Sequence, residues 1–259
     1  MEDVEYNLFI HKVNENLKLD LGNYKETQMK RRLTSLYIKR GFSSFLSYFN
    51  AMMKDKDLLN EFMDRVTINV SEFWRNPTRW TVLEQKFIPE MIKKSPRLKC
   101  WSAACSTGEE PYTLAMLLME AGADRSDILA MDIDDTVLAK AQKGEYLERS
   151  TRDIPATYLS KYFAKVNDNY QVEPSLKKLI RFRKGNLLLD RFEKDFDLII
   201  CRNVMIYFTE QAKQELYHKF SQSLKPDGLL FVGSTEQIFT PAQYNLEAVD
   251  SFFYRRITV

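Results

Sequence analysis

Apolar positions over the first 75 residues recur with a helical period. Phe42, Phe45, Leu46, Phe49, Met52 and Met53 follow i, i+3, i+4, i+7 spacing behind a Ser43-Ser44 start signal. A second helix is predicted over about 25–40, with Met29, Leu33, Leu36 and Tyr37 on one side, and a third over 58–66. None of the eight prolines falls here, and of the eight glycines only Gly22 and Gly41 do. The pattern predicts a small helical domain over residues 1–75.

From about Pro96 short apolar runs alternate with helical stretches. Strands are predicted at 98–103, 128–132, 196–201, 228–233 and 252–254, and helices at 109–120, 136–143 and 210–224. Such alternation implies an α/β domain over 76–259 built on a doubly wound, mainly parallel sheet. One segment departs from it. Phe163–Val166 and Tyr170–Val172 flank a tight Asn167-Asp168 turn, which predicts a hairpin. Ile180–Arg183 is expected to add a third strand, giving a small antiparallel insert over about 150–184.

Charge adds little at the scale of the whole chain: 38 Lys and Arg against 36 Asp and Glu leave +2. No global field draws the protein to nucleic acid or an anionic membrane. No stretch approaches the ~20 apolar residues of a membrane span, and the acidic start (Met1 to Glu5) is unlike a secretory signal. Cys100, Cys105 and Cys201 have no metal-ligand spacing, and His11 and His218 are the only histidines. A zinc site or a histidine-activated nucleophile is disfavoured. The expectation is a reduced, cytoplasmic protein that uses no metal.

The first strand–helix turn reads Ala103-Ala-Cys-Ser-Thr-Gly-Glu-Glu-Pro-Tyr112. A dinucleotide fingerprint needs three glycines so that backbone can approach a pyrophosphate. Here only Gly108 is present, and Glu109 and Glu110 stand where phosphate would sit. They repel phosphate and suit a cationic, hydroxyl-bearing ligand such as S-adenosylmethionine; they also suit the positive end of the following helix. Asp132 ends the next strand near the roughly 20-residue spacing of a ribose-binding acid, with Asp134 and Asp135 competing for that role. Arg202-Asn203-Val204-Met205-Ile206-Tyr207 closes a buried strand, where two polar side chains need partners. Thr67-Ile-Asn-Val-Ser-Glu-Phe-Trp-Arg-Asn-Pro77 lies where the helical part ends.

These four clusters, in this order, resemble the chemotaxis receptor methyltransferases, the CheR family. The matching stretches are Thr67–Arg75, Trp101–Tyr112, Asp132–Asp134 and Cys201–Phe208, and the likeness covers nearly the whole chain. It implies an all-α N-terminal receptor-recognition domain before a Rossmann-like S-adenosylmethionine domain. It also implies methyl transfer from S-adenosylmethionine to receptor glutamates, with S-adenosylhomocysteine as product. By position, Asn69, Ser71, Arg75, Glu110, Asp132, Asn186, Leu187, Asn203 and Val204 would hold the cofactor, with the choice between Glu109 and Glu110 open. Arg75 and Tyr207 look like the pair at the reacting centre. Ser71 and Trp74 stand where many members have threonine and phenylalanine.

A glutamate carboxylate, pKa roughly 4.3, is already ionised at neutral pH, so the lack of a histidine base is no obstacle. The helix at 25–40 sets Lys25, Lys30, Arg31, Arg32, Lys39 and Arg40 against the single acid Glu26. Lys25, Lys30, Arg31, Arg32 and Lys39 are the candidate contacts to the cytoplasmic helical domain of a receptor. Family members that tether a receptor C-terminal peptide have a longer, glycine-containing hairpin loop. This tight turn resembles the type that needs no tether. The protein is expected to act as a monomer, without nucleic acid or membrane insertion. A nucleic-acid methyltransferase is the alternative, disfavoured by the near-neutral charge and the missing Asn/Asp-Pro-Pro-aromatic segment.

Overall fold

The computed structural model describes residues 2–258. The chain forms two compact units: one runs to Ile68 and takes in Ile206–Glu215, the other comprises Asn69–Met205 and the chain from Leu216. No helix among the described residues is long and apolar enough to cross a membrane.

In the first unit α1 (Glu2–Leu17), α2 (Glu26–Lys39), α3 (Phe45–Met52) and α4 (Lys56–Thr67) pack through aromatic side chains. Phe9 lies 5.3 Å from Phe45 and 6.1 Å from Phe62, and Tyr37 lies 4.9 Å from Phe45, ring centre to ring centre. Ser44 and Ser47 form a reciprocal cap at the start of α3, satisfying amides that the first turn leaves open. Asp55 caps α4 by accepting from the amides of Asp57 and Leu58. The segment from Ile206 belongs here because the Lys25 amide donates to the Tyr207 carbonyl (2.9 Å) and the Thr209 amide to the Asn23 carbonyl (2.8 Å). Tyr24 and Phe208 close the contact edge to face at 5.1 Å.

The second unit begins with α5 (Pro77–Val82), a π-helical turn (Leu83–Phe87) and α6 (Ile88–Lys94). Then come β1 (Lys99–Ala103), α7 (Glu109–Glu120), β2 (Asp127–Asp132), α8 (Asp135–Lys143), β3 (Glu145–Leu147), α9 (Ala156–Tyr162), β4 (Phe163–Val166), β5 (Asn169–Val172) and α10 (Pro174–Lys177). β6 (Ile180–Lys184), β7 (Phe196–Cys201), α11 (Glu210–Ser223, of which Glu210–Glu215 belongs to the first unit), β8 (Leu224–Val232), β9 (Leu246–Asp250) and β10 (Phe253–Arg256) complete the chain. Seven strands form one sheet in the order β6-β2-β1-β7-β8-β10-β9, parallel except at the β8-β10-β9 edge. Its core is a set of fully buried apolar side chains including Cys100, Leu114, Ile128, Leu198, Ile200 and Phe231. Strand order reverses between β1 and β7, so the carboxyl ends of these two strands flank the crevice where such sheets take ligands.

The antiparallel insert is present but differently composed. β4 and β5 form the expected hairpin, with Asn167 in the left-handed region (φ 56°), and β3 supplies the third strand in the order β3-β5-β4. Ile180–Arg183, expected there, instead lies in β6, which pairs parallel with β2 at the edge of the main sheet. As an edge strand it buries Ile180 and exposes Arg181, an alternation indistinguishable by sequence from that of an antiparallel insert. The sequence pattern did not foresee α1, the α5–α6 run, β3, α9, α10 or β9.

Candidate active site

The crevice lies within the second unit, lined by Val70, Ser71, Glu72 and Arg75 from the segment before α5, Ala104, Cys105, Ser106 and Glu110 from the β1–α7 turn, and Arg202 and Asn203 after β7. It holds about 340 Å³ of empty space, part of it open to solvent. The backbone around it is strained. Trp74, Asn76, Ala104, Ser106 and Asn203 all take φ between 47° and 63°, a region costly for residues with a Cβ and concentrated at functional sites. Gly108 starts α7 with φ 96°; a Cβ there would sit 2.9 Å from Ala141 Cβ and 3.0 Å from the Tyr146 hydroxyl.

The two acids of the turn separate. Glu109 turns to the Thr107 hydroxyl (2.7 and 2.9 Å to its two oxygens), and burial raises its pKa against help from Thr107 and Ser71. Glu110 lines the crevice, accepts from the Ser102 hydroxyl at 2.8 Å and lies 3.8 Å from the Arg202 guanidinium. Burial pushes the Glu110 carboxyl up to about 7; Arg202, Ser102 and Arg75 oppose the shift, and Glu236 adds to it. The Arg202 side chain is only 3% exposed. It donates to the Arg75 carbonyl (2.7 Å) and packs over Phe231 (4.8 Å) and Trp80 (5.4 Å). Burial lowers its pKa while Glu110 supports its charge.

Asp132, at the end of β2, accepts from the Ser106 amide (2.8 Å) and the Asp134 amide (3.1 Å), so it pins the β1–α7 turn. Its pKa is raised by burial, with those amides opposing. Each carboxylate oxygen keeps further acceptor capacity. Asp134 instead caps α8 through the Thr136 amide (2.8 Å) and accepts from the Asn69 side chain (3.0 Å). Asp135 pairs with Lys184. Gly185 donates to the Asp132 carbonyl (2.8 Å), which sets Asn186 and Leu187 beside the end of β2, and Lys219 holds the Leu187 carbonyl at 2.8 Å.

Of the residues expected at the cofactor, Ser71, Arg75, Glu110 and Asn203 meet on one crevice. Asp132, Asn69, Asn186 and Leu187 join its surroundings through the bonds just described, and Val204 sits in the turn beside Asn203. Tyr207 and the basic residues of α2 belong to the first unit. There Lys25 and Arg31 are exposed, Lys30 pairs with Asp3 (2.6 Å), and Lys39 lies 3.6 Å from Glu61. Arg32 is half-buried; burial and the nearby Arg65 lower its pKa, and Tyr207 opposes them. Sequence reasoning did not place Ser102, Ser106 or Glu236 at the site. Arg202 carried a signal, a charge at the end of a buried strand, whose partners only the fold supplies.

Two buried side-chain oxygens on the crevice, Ser106 Oγ and Asn203 Oδ1, have no hydrogen-bond partner among the described residues. Together with Glu110 they offer acceptors and negative charge, which fit an ammonium- and hydroxyl-bearing ligand. A crevice at the switch point of a doubly wound sheet is where such folds take a nucleotide-type ligand. Residues 69–253 match the CheR methyltransferase SAM binding domain, and residues 4–67 match the CheR methyltransferase all-alpha domain. A chemotaxis protein methyltransferase of Listeria monocytogenes is 45% identical over 252 residues, 96% of each chain. One from Listeria innocua is 46% identical over the same shares, and one from Borreliella burgdorferi is 35% identical over 97% of this chain and 94% of its own. The chain belongs to the CheR methyltransferase family.

Proposed function

We propose that the protein methylates glutamate side-chain carboxylates on the cytoplasmic helical domain of methyl-accepting chemotaxis receptors, working in the cytoplasm as a monomer. The observation that carries this reading is the crevice, where the partly buried Glu110 stands beside two oxygens unpartnered among the described residues. The names of the chemotaxis methyltransferases that match over nearly the whole chain support the receptor substrate. When bound, S-adenosylmethionine supplies an electrophilic methyl group whose transfer to a carboxylate yields an ester and S-adenosylhomocysteine.

Glu110 and Asn203 are assigned to the ammonium-bearing part of the ligand, Asp132 to its ribose, and Asn186 with Leu187 to its adenine. Asn69, Ser71 and Val204 complete the enclosure. Arg75 and Tyr207 are assigned to the incoming carboxylate, which they orient by charge-assisted and neutral hydrogen bonds. No residue needs to remove a proton, because the nucleophile arrives ionised. Lys25, Lys30, Arg31, Arg32 and Lys39 form the receptor-binding face. The tight Asn167-Asp168 turn supports engagement without a receptor tether peptide.

The test uses methyl-labelled S-adenosylmethionine with receptor-containing membranes, followed by mild alkali. Label released as volatile methanol is expected, because a carboxyl ester hydrolyses. Alkali-stable label would point to nitrogen or carbon methylation and contradict the reading, as would no incorporation.

A further inference from the structure

Beyond the residues of the crevice itself, a buried carboxylate stands behind it. Glu236 is 4% exposed and follows β8 in the loop Gly233-Ser-Thr-Glu236. Its Oε2 accepts from the Asn203 amide at 2.6 Å and the Gly233 amide at 2.9 Å, and its Oε1 accepts from the Met205 amide at 2.7 Å. The Glu236 amide in turn donates to the Gly233 carbonyl at 3.0 Å, closing the loop on itself. Backbone amides converging from two separate strand ends on one buried carboxylate form a nest for negative charge.

Gly233 is required by the same arrangement. A Cβ there would collide with Glu236 Oε2 and approach the Asn203 amide to 3.0 Å. The glycine therefore makes room for a carboxylate rather than for an unusual backbone angle. What the carboxylate grips is the strained turn after β7: Asn203 holds φ 60° and presents an unpartnered buried Oδ1 on the crevice. Such a conformation costs of order 1–3 kcal/mol and persists only when its surroundings enforce it. The amide bonds on either side of Val204 supply that enforcement.

We propose that Glu236 is a positioning residue of the methyltransferase site, fixing the Asn203–Met205 turn in its ligand-binding conformation and setting the electrostatic balance around Glu110. The second part follows from charge. Arg202 and Arg75 face Glu110 with positive charge, Glu236 faces it with negative charge, and the nearby thiols of Cys105 and Cys201 are held neutral by burial. Removing the Glu236 charge tips this balance toward the ionised form of Glu110. The inference rests on the cofactor reading of the crevice.

The test measures S-adenosylhomocysteine affinity of the full-length protein by calorimetry from about pH 6 to about pH 8, with the thermal midpoint of each variant recorded alongside. For Glu236→Gln, affinity at the upper end should fall about tenfold or more, the equivalent of one lost charge-assisted hydrogen bond. The pH at which affinity is half its plateau should move down, because a neighbouring negative charge is removed. Glu236→Asp keeps the charge but is too short to reach all three amides. It should lose affinity while keeping the wild-type pH midpoint, and it carries the test should the glutamine variant unfold. Gly233→Ala, whose Cβ displaces the carboxylate, should weaken binding as Glu236→Gln does. A merely structural role would lower the thermal midpoint and leave affinity and its pH profile unmoved. That result, in any folded variant, overturns the proposal. If the wild-type protein itself fails to bind S-adenosylhomocysteine, the reading of the crevice fails and this inference falls with it.

Discussion

At the scale of single residues, Glu110 is the most informative group. A carboxyl held near 7 by burial is half protonated around neutral pH, so a ligand carrying a positive charge must compete with a proton for it. Binding an ammonium group favours the ionised form, so affinity for S-adenosylhomocysteine should rise with pH and level off above about 7. Glu110→Gln should weaken binding and flatten that profile; calorimetry on both proteins gives the comparison, and an unchanged slope in the variant would remove Glu110 from the site. Which of the two glutamates matters could not be read from Gly108-Glu-Glu-Pro. The two are adjacent on α7, and only the tertiary surroundings turn one to Thr107 and the other to the crevice. Glu236 was invisible for a related reason: its partners are backbone amides, which leave no mark in the sequence.

Among the elements, α2 carries the recognition hypothesis. Its buried face, Met29, Leu33, Leu36 and Tyr37, was legible from spacing alone, as were α7 and β7, whose bounds agree with the pattern. The polar face is less uniform than its composition implied. Lys30 and Lys39 spend part of their charge on Asp3 and Glu61, which leaves Arg31 and the half-buried Arg32 as the distinctive positive pair. Reversing both to Glu should cut receptor methylation by about tenfold at low ionic strength, with the difference shrinking as salt screens it. S-adenosylhomocysteine affinity should stay as in the wild type. An unaltered methylation rate would refute the docking role. The same unit carries Tyr207, tied to the start of α2 through the Lys25 amide, so recognition and a proposed substrate-orienting group share one body. The elements that escaped prediction have local causes. In α1 the buried stripe is one residue per turn, Tyr6, Phe9 and Val13, and exposed Val4 and Leu8 blur it. The α5–α6 run contains Pro77 and Pro89, which read as breaks but sit at first-turn positions of their helices.

For the molecule as a whole, the near-zero net charge leaves specificity to local fields, a basic helix in one unit and an acceptor-rich crevice in the other. The fold class and the order of its motifs were legible because hydrophobic period and turn chemistry are local. The strand order and the partners of buried polar groups were not, because they depend on contacts distant in sequence. The central claim is that this crevice selects an ammonium-bearing, phosphate-free nucleoside ligand. Calorimetric titration of the intact protein with S-adenosylhomocysteine, NADH and ATP in parallel tests it most directly. Saturable binding of S-adenosylhomocysteine alone is predicted; binding of NADH or ATP with no heat from S-adenosylhomocysteine would contradict it.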